Sequence, residues 1–378
     1  MKWRPLGLLA AATALTCSTP APASSNASSR EVDAQAALKI EPVATLDEPW
    51  ALAFLPDRRI LVTLKAGSIR MVGLDGDVSL PFQGVPAVSY AGQGGLGDIV
   101  LHPDFVRNNL IYITYVEPGS NGTRGAVVAR ARLELGGERG RLKELEVIWR
   151  QTPKVSGAGH YGHRLAFSPD GFLFVSSGER QKFQPAQDMS GNLGKIVRLY
   201  DDGRVPDDNP FSERGGVAAQ VWSLGHRNPL GLAFDTQGRL WNIEMGPRGG
   251  DELNLVERGA NYGYPVVSNG DHYSGRPIPD HDTRPEFVAP KVWWTPVISP
   301  GSLCFYSGDL FAEWRGDALI AGLSSNALIR VQIDGQGARE VERFDMGARI
   351  RTVAQGPSGA LWVLEDGPGA RLLRLTPG

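Results

Sequence analysis

A short apolar run, a polar turn and a second apolar run recur in that order along the chain. ALAFLPDRRILVTL starts at Ala51 and GDIVLHPDFVRNNLIYITYV at Gly97. RLAFSPDGFLFVSSGE starts at Arg164, GLAFDTQGRLWNIE at Gly231 and RTVAQGPSGALWVLED at Arg351, with SLCFYSGDLFAEWRGDALIAGL from Ser302 as a looser copy. Apolar strands joined by Asp-Gly, Gln-Gly or Ser-Gly turns are hairpin signals, because glycine takes the positive φ that a tight turn needs. Six such hairpins, spaced at roughly fifty residues, match the period at which four-stranded propeller blades repeat. Two β-sandwiches would divide six copies of one hairpin poorly. The pattern therefore predicts an all-β chain in which residues 39–378 form one six-bladed β-propeller, its functional loops gathered over the central channel.

Composition adds to this picture. With 47 Gly and 27 Pro and few long helical patterns, the chain is rich in turns and hence in short strands. A formal net charge of -2 supplies no basic face, so no nucleic-acid partner is expected. Residues 1–23 carry a basic start, an apolar run from Leu6 to Leu15 and the small-residue cleavage site Ala21-Pro22-Ala23. This is a secretory signal pattern, too short to span a bilayer, and it places the mature protein in the periplasm or outside the cell. No second long apolar segment follows, so no membrane span is expected. Cys17 stands in an imperfect lipoprotein attachment site, which leaves lipid anchoring open. Residues 24–38, rich in Ser and Ala, read as a flexible tether. After cleavage only Cys304 remains, in the apolar run Leu303-Cys304-Phe305-Tyr306, and it reads as a buried structural thiol.

Two places carry candidate chemistry. Polar residues crowd both ends of the hairpin at Gly231: His226-Arg227-Asn228 before it, Gly246-Pro247 and Asp251-Glu252 after it. Loops with such groups on a rigid sheet are where binding and catalysis concentrate. At the hairpin from Arg164, Gly159-His160-Tyr161 precedes and Gly178-Glu179 follows. A strand pair returns the chain to the end it left, so His160 and Glu179 can face each other. A carboxylate that fixes an imidazole's tautomer and raises its basicity makes a general base near neutral pH. Arg349 and Arg351 alternate along one strand and so share a face. Trp293 and Trp294, near a loop end, offer either a stacking wall for a sugar or core packing.

The ordered set GQGGL, HxxxRL, GHRNPxGLAF, EMGPxGGDELN, ANYGYP and RIR closely resembles the soluble aldose sugar dehydrogenases that use pyrroloquinoline quinone, with soluble glucose dehydrogenase a more distant member. The resemblance runs from about residue 45 to the C-terminus. It implies oxidation of aldose sugars at C1 to lactones, with hydride passing to the quinone and the electrons leaving to an acceptor the sequence does not name. Residue by residue, it makes His160 the base, Glu179 its supporting carboxylate, and Gln93 a side chain lining the sugar and quinone site. Arg227 and Asn228 match the pair contacting the quinone oxygens, and Arg349 and Arg351 the arginines holding cofactor carboxylates. Gly246 and Pro247 match the two backbone carbonyls that bind Ca2+, an ion that prefers hard oxygen ligands. Asp251 and Glu252 are expected to orient that loop or to bind a second ion.

Three departures stand out. The family's Lys for a cofactor carboxylate falls here at Ser324, Gly159 replaces an acid of the glucose enzyme, and His163 sits where Gly is common. The rival readings are a secreted propeller that binds carbohydrate or protein without turnover, and a calcium-dependent lactonase.

Overall fold

The computed structural model describes Met1, residues 25–137 and residues 139–378. The expected signal segment beyond Met1, with Cys17 in it, lies outside the described residues. Among those described, the strands form six blades arranged as a ring. Their inner strands are Pro49–Phe54, Leu96–Leu101, Gly162–Phe167, Pro229–Phe234, Pro300–Phe305 and Ile350–Gln355. We number the blades 1 to 6 in that order. Each inner strand pairs antiparallel with the strand that follows it, so all six expected hairpins form. The ring is closed by the start of the chain: Leu38–Leu46 pairs antiparallel with Ala370–Pro377 and becomes the outer strand of blade 6.

The second strands are buried along their whole length in five blades, for example Ile60–Leu64, Leu240–Glu244 and Leu361–Glu365. A blade packs on both faces against its neighbours, so both sides of such a strand favour apolar residues. Each fully buried Leu, Ile or Val contributes roughly 1.5–3 kcal/mol. Cys304 is half-buried on the inner strand of blade 5, where burial pushes its thiol up to about 11. It is a packing residue, and not a nucleophile.

Part of segment 24–38, expected as a tether, is docked. Ser25–Asn26 pairs parallel with Val292–Trp293 at the outer edge of blade 4, and Arg30–Asp33 pairs with Glu342–Asp345 at the edge of blade 5. An outer strand exposes unpaired N–H and C=O groups, and a passing segment of suitable length covers them.

One irregularity repeats in every blade. Each inner strand has a register shift near its first residues, at Pro49/Ala51, Leu96/Ile99, Gly162/Leu165, Pro229/Gly231, Pro300/Ser302 and Ile350/Thr352. A bulge re-aims a side chain and is common at barrel rims. The residues so displaced are Trp50, Gly97-Asp98, His163-Arg164, Leu230, Gly301 and Arg351, one set per blade around the channel. Arg164 ties them together. Its guanidinium lies 3.9 Å from the Trp50 ring centroid and 3.1 Å from an Asp98 carboxylate oxygen. It also donates to the carbonyls of Leu230 and Gly301, both at 2.7 Å, and to Thr352 Oγ1 at 3.3 Å. One side chain from blade 3 thus contacts the other five blades.

Candidate active site

Above this plug lies a cavity of about 270 Å³, whose floor is built from the bulge residues Trp50, His163, Leu230 and Arg351. His163 is buried with φ +55, and its ring packs 4.9 Å from that of Trp50. A side chain at Gly97 would meet the His163 ring at 2.3 Å, so glycine there makes room for it. Thr114 Oγ1 gives its proton to the His163 carbonyl, at 2.9 Å, and lies 3.1 Å from Nδ1. That leaves Nδ1 as the donor and Nε2 as a lone-pair acceptor. Burial, followed by Arg164, lowers the pKa of this imidazole to about 3, so it stays neutral at ordinary pH. It forms part of the floor, and does not extend the base at His160.

His160 and Glu179 do meet. Nδ1 of His160 lies 2.5 Å from Glu179 Oε1. The chain after Glu179 folds back, with Arg180, Gln181 and Phe183 at positive φ. This turn brings the N–H groups of Gln181, Lys182 and Phe183 to the same carboxylate, at 2.9, 2.5 and 2.6 Å. Burial alone would raise the Glu179 pKa, but the bonds from His160 and Phe183 outweigh it and hold it below the usual range. Glu179 is therefore an acceptor only, Nδ1 carries the proton, and Nε2 of His160 is left with a free lone pair. Burial, opposed by Glu179 and reinforced by the Arg227 cation, holds the His160 pKa below its ordinary value. Gln93 Oε1 accepts the His160 N–H at 2.7 Å and so positions His160 through its backbone. Gly178 is required beside it, since a Cβ there would lie 2.2 Å from the His160 carbonyl oxygen.

Arg227 lines a second, outer cavity together with His160 and Glu179. Its backbone N–H donates to Glu244 and its Nη1 to the carbonyls of Met245 and Gly246, at 3.0 and 2.6 Å. Its Nε is buried without a partner. Asn228 sits deeper and lines neither cavity. Its Oδ1 accepts the Gly162 N–H at 3.1 Å, while Nδ2 faces only the Met245 sulfur at 3.9 Å. Asp251 holds the Gly246 loop: Oδ1 accepts the Gly246 N–H, and Oδ2 accepts those of Ile298 and Ser299. Glu252 is buried with only weak company, Asn254 Nδ2 at 3.5 Å and His281 Nδ1 at 3.9 Å. Burial, then the charge of Glu244, raises its pKa well above the ordinary value. The side-chain oxygens of Asn242 and Asn254, beside these acids, have no partner.

Arg349 and Arg351 both reach the first cavity, and both bind Asp366, at 2.9 and 2.7 Å. The carboxylate therefore fixes two guanidiniums side by side. Lys65 lines the same cavity, 3.8 Å from Glu48. Ser324 is exposed, donates to the Val297 carbonyl and does not line that cavity, although its neighbour Leu323 does.

The outer cavity, of about 570 Å³, has His160 on its wall, with Lys182, Phe183, Tyr264, Tyr273 and Arg276 around it. Of the two readings left open for Trp293 and Trp294, a stacking wall or core packing, Trp294 takes the second. Trp294 is 1% exposed in the core against Ile298 and Leu303, and its indole N–H donates to Glu340. Trp293 is paired with Asn26 in the outer strand of blade 4. Asp366, Lys65 and Met245 escaped the sequence reading, yet each directly follows the second strand of its blade, as Glu179 nearly does. A rule that flags this position in every hairpin finds them all.

An all-β ring whose cavities hold a hydrogen-bonded His–Glu pair and several arginines is a scaffold suited to enzyme chemistry. The sequence model of the Glucose / Sorbosone dehydrogenase family matches residues 46–374, and the chain belongs to this family of oxidoreductases. It is 40% identical over 340 residues to the aldose sugar dehydrogenase YliI of Escherichia coli strain K12, covering 88% of this chain and 91% of that protein. It is 28% identical over 415 residues to quinoprotein glucose dehydrogenase B of Acinetobacter calcoaceticus, covering 86% and 85%. Among solved structures, the apo form of the soluble E. coli aldose sugar dehydrogenase matches with a TM-score of 0.85 at 39% identity, covering 90% of this chain and 100% of that one. The PQQ-bound form of an aldose sugar dehydrogenase from Streptomyces coelicolor matches with a TM-score of 0.75 at 30% identity, covering 90% and 98%.

Proposed function

We propose that this protein oxidises aldose sugars at C1 to the lactone, using His160 as general base and pyrroloquinoline quinone as hydride acceptor. The observation that carries the reading is the neutral His160 imidazole, oriented by Glu179 and open to a cavity shared with Arg227. When bound, the quinone would supply the carbonyl carbon that takes hydride, and with it two electrons, from the sugar C1. The protein's own groups do the rest. Nε2 of His160 takes the proton of the C1 hydroxyl, so that the C1–O bond becomes the lactone carbonyl as hydride departs. The Arg227 guanidinium would stabilise negative charge on an acceptor oxygen held beside it. The PQQ-bound Streptomyces relative and the quinoprotein from Acinetobacter support this assignment.

The residues present fit such a cofactor. Arg349, Arg351 and Lys65 face one cavity and suit a polycarboxylate, while the unpartnered Nε of Arg227 offers a buried donor to an acceptor. Calcium is the second part of the proposal. Gly246 and Pro247 would lend carbonyl oxygens, although Gly246 O already accepts from Arg227. Glu252 lines the same space of about 10 Å³ as Gly246 and Pro247 and offers a hard oxygen donor there. No helix of the described residues is long and apolar enough to cross a membrane. The N-terminal signal pattern favours a periplasmic or secreted protein, lipid-anchored if Cys17 is modified.

The test is reconstitution. Purified protein is given pyrroloquinoline quinone and calcium, and glucose-driven reduction of an artificial dye is followed. Dye reduction that disappears in His160→Ala while the cofactor still binds supports the reading. Failure of the cofactor to bind at micromolar concentration removes it, and leaves a propeller that binds without turnover.

A further inference from the structure

The outer cavity has an unbalanced charge. Of its acidic side chains only Glu179 lines it, and both oxygens of that carboxylate are taken up by His160 and three backbone N–H groups. Against this stand Lys182 and Arg276, on loops of blades 3 and 4. Lys182 Nζ meets only Ser156 Oγ at 3.3 Å, and Arg276 Nη2 only His272 Nε2 at 3.5 Å. Neither has a carboxylate partner among the described residues. In a chain whose formal net charge is -2, two uncompensated cations beside one cavity form a local field for an anion.

The same cavity presents aromatic faces. Phe183 is 45% exposed and packs 6.4 Å from the Tyr264 ring at an interplanar angle of 30°, and Tyr273 is 74% exposed. Rings left this open at a cavity suit the C–H face of a pyranose. Lys182 and Arg276 line the same cavity as these rings and His160, so a sugar stacked there with C1 toward His160 shares the cavity with both cations.

We infer that the preferred substrate class is the aldouronic acids, pyranoses with a free C1 hydroxyl and a carboxylate at C6. The inference rests on the proposed C1 oxidation, and the carboxylate takes no chemical part in it. A phosphate ester would carry up to about twice the charge at neutral pH, and phosphate sites commonly add backbone N–H groups to their cations. The N–H groups of Lys182 and Phe183 are already committed to Glu179. What the cavity offers is two point charges, enough for a monoanion.

The experiment compares KM for glucuronate, glucose 6-phosphate and glucose on the cofactor-loaded protein. At low ionic strength, glucuronate should show a KM about fivefold to tenfold below that of glucose, the effect of two partly exposed ion pairs. The ratio should fall toward one in high salt, which screens such pairs. It should also fall toward one in a Lys182→Gln/Arg276→Gln variant. A wild-type ratio of one at low salt overturns the inference, as does a ratio that survives both salt and the double substitution. An advantage confined to glucose 6-phosphate overturns the carboxylate assignment. Absence of dye reduction with every sugar refutes the proposed oxidation itself, a result distinct from turnover without preference. Salt dependence on the wild type keeps the test decisive if the double variant folds poorly.

Discussion

Oε1 of Glu179 lies 2.5 Å from Nδ1 of His160 and also accepts the N–H of Gln181, while Oε2 accepts those of Lys182 and Phe183. The proposed base therefore depends on a carboxylate that is itself fixed by backbone. In that role His160 works only when unprotonated, and its pKa is held below 6.5 by burial. The acid limb of kcat/KM should accordingly have its midpoint below pH 6.5, with activity rising as pH increases through it and level above. Glu179→Gln removes the group that raises the His160 pKa, so the limb should move to still lower pH and kcat should fall roughly a hundredfold. A pH–rate profile of the loaded enzyme checks both. A midpoint above 6.5, or an unshifted profile in Glu179→Gln, contradicts the assignment.

Arg164 and Asp98 form a buried ion pair at the centre of the ring, at 3.1 Å. Removing one member leaves the other charged and unpaired, at a cost of about 3–5 kcal/mol. Arg164→Met should therefore lower the denaturant midpoint sharply. The double variant with Asp98→Asn should recover part of the loss, because no lone charge remains. Equal stability of the single and double variants would show that the carbonyl contacts of Arg164, and not its charge, hold the blades together.

His163 carries a pH signature of its own. Its folded pKa of about 3 lies below its unfolded value of 6.5, so the unfolded chain takes up the proton first. Stability is fully present above pH 6.5 and is lost as pH falls toward 3, by about 1.4 kcal/mol per unit. Between pH 6.5 and 5 the wild type should lose about 2 kcal/mol more than His163→Phe. Urea unfolding at the two pH values measures this. Identical losses in the two proteins would mean that the imidazole is not held neutral.

Cofactor affinity should follow the cations around the first cavity. Arg351→Gln should weaken pyrroloquinoline quinone binding by about tenfold to a hundredfold, the worth of one charge-assisted hydrogen bond. Lys65→Met should weaken it less, by about threefold to tenfold, because Lys65 is already drawn toward Glu48 at 3.8 Å. Ser324→Lys, which restores the residue of the resembling family, should tighten it by about threefold if that rim is within reach. Equilibrium titration of the quinone against each variant decides the order. A larger effect at Lys65 than at Arg351 would place the carboxylates on the blade 1 side.

The blades were legible because hairpin turns and apolar alternation are local signals, and all six copies sit on inner strand pairs. His160 and Glu179 were legible for the same reason: a hairpin returns its ends to one place, whatever it encloses. The closing strand Leu38–Leu46 was not, since its partner lies more than three hundred positions away and no local pattern records that pairing. Nor was the role of Arg164, whose five contacts exist only once the ring has closed. The docking of Ser25–Asn26 and Arg30–Asp33 was missed because an edge strand needs only backbone complementarity, which a Ser- and Ala-rich composition does not advertise. The tryptophans stayed open between stacking and packing for a different reason. Periodicity tells which residues share a face, but not which face meets the channel.

That last ambiguity yields the sharpest contrast between packing and recognition. Trp294 is 1% exposed and donates to Glu340, whereas Phe183 is 45% exposed at the outer cavity. Trp294→Ala should cost about 3–5 kcal/mol, as for a large buried aromatic, with little change in sugar KM in whatever fraction remains folded. Phe183→Ala should do the reverse. Its ring contributes little to the core, so the melting temperature should change by only a few degrees. Loss of a stacking face should raise the KM for aldoses by about threefold to tenfold. Thermal unfolding and steady-state kinetics on the two variants separate these roles. A KM effect at Trp294 without loss of stability would return the sugar wall to blade 4's outer strand, where the sequence alone had allowed it.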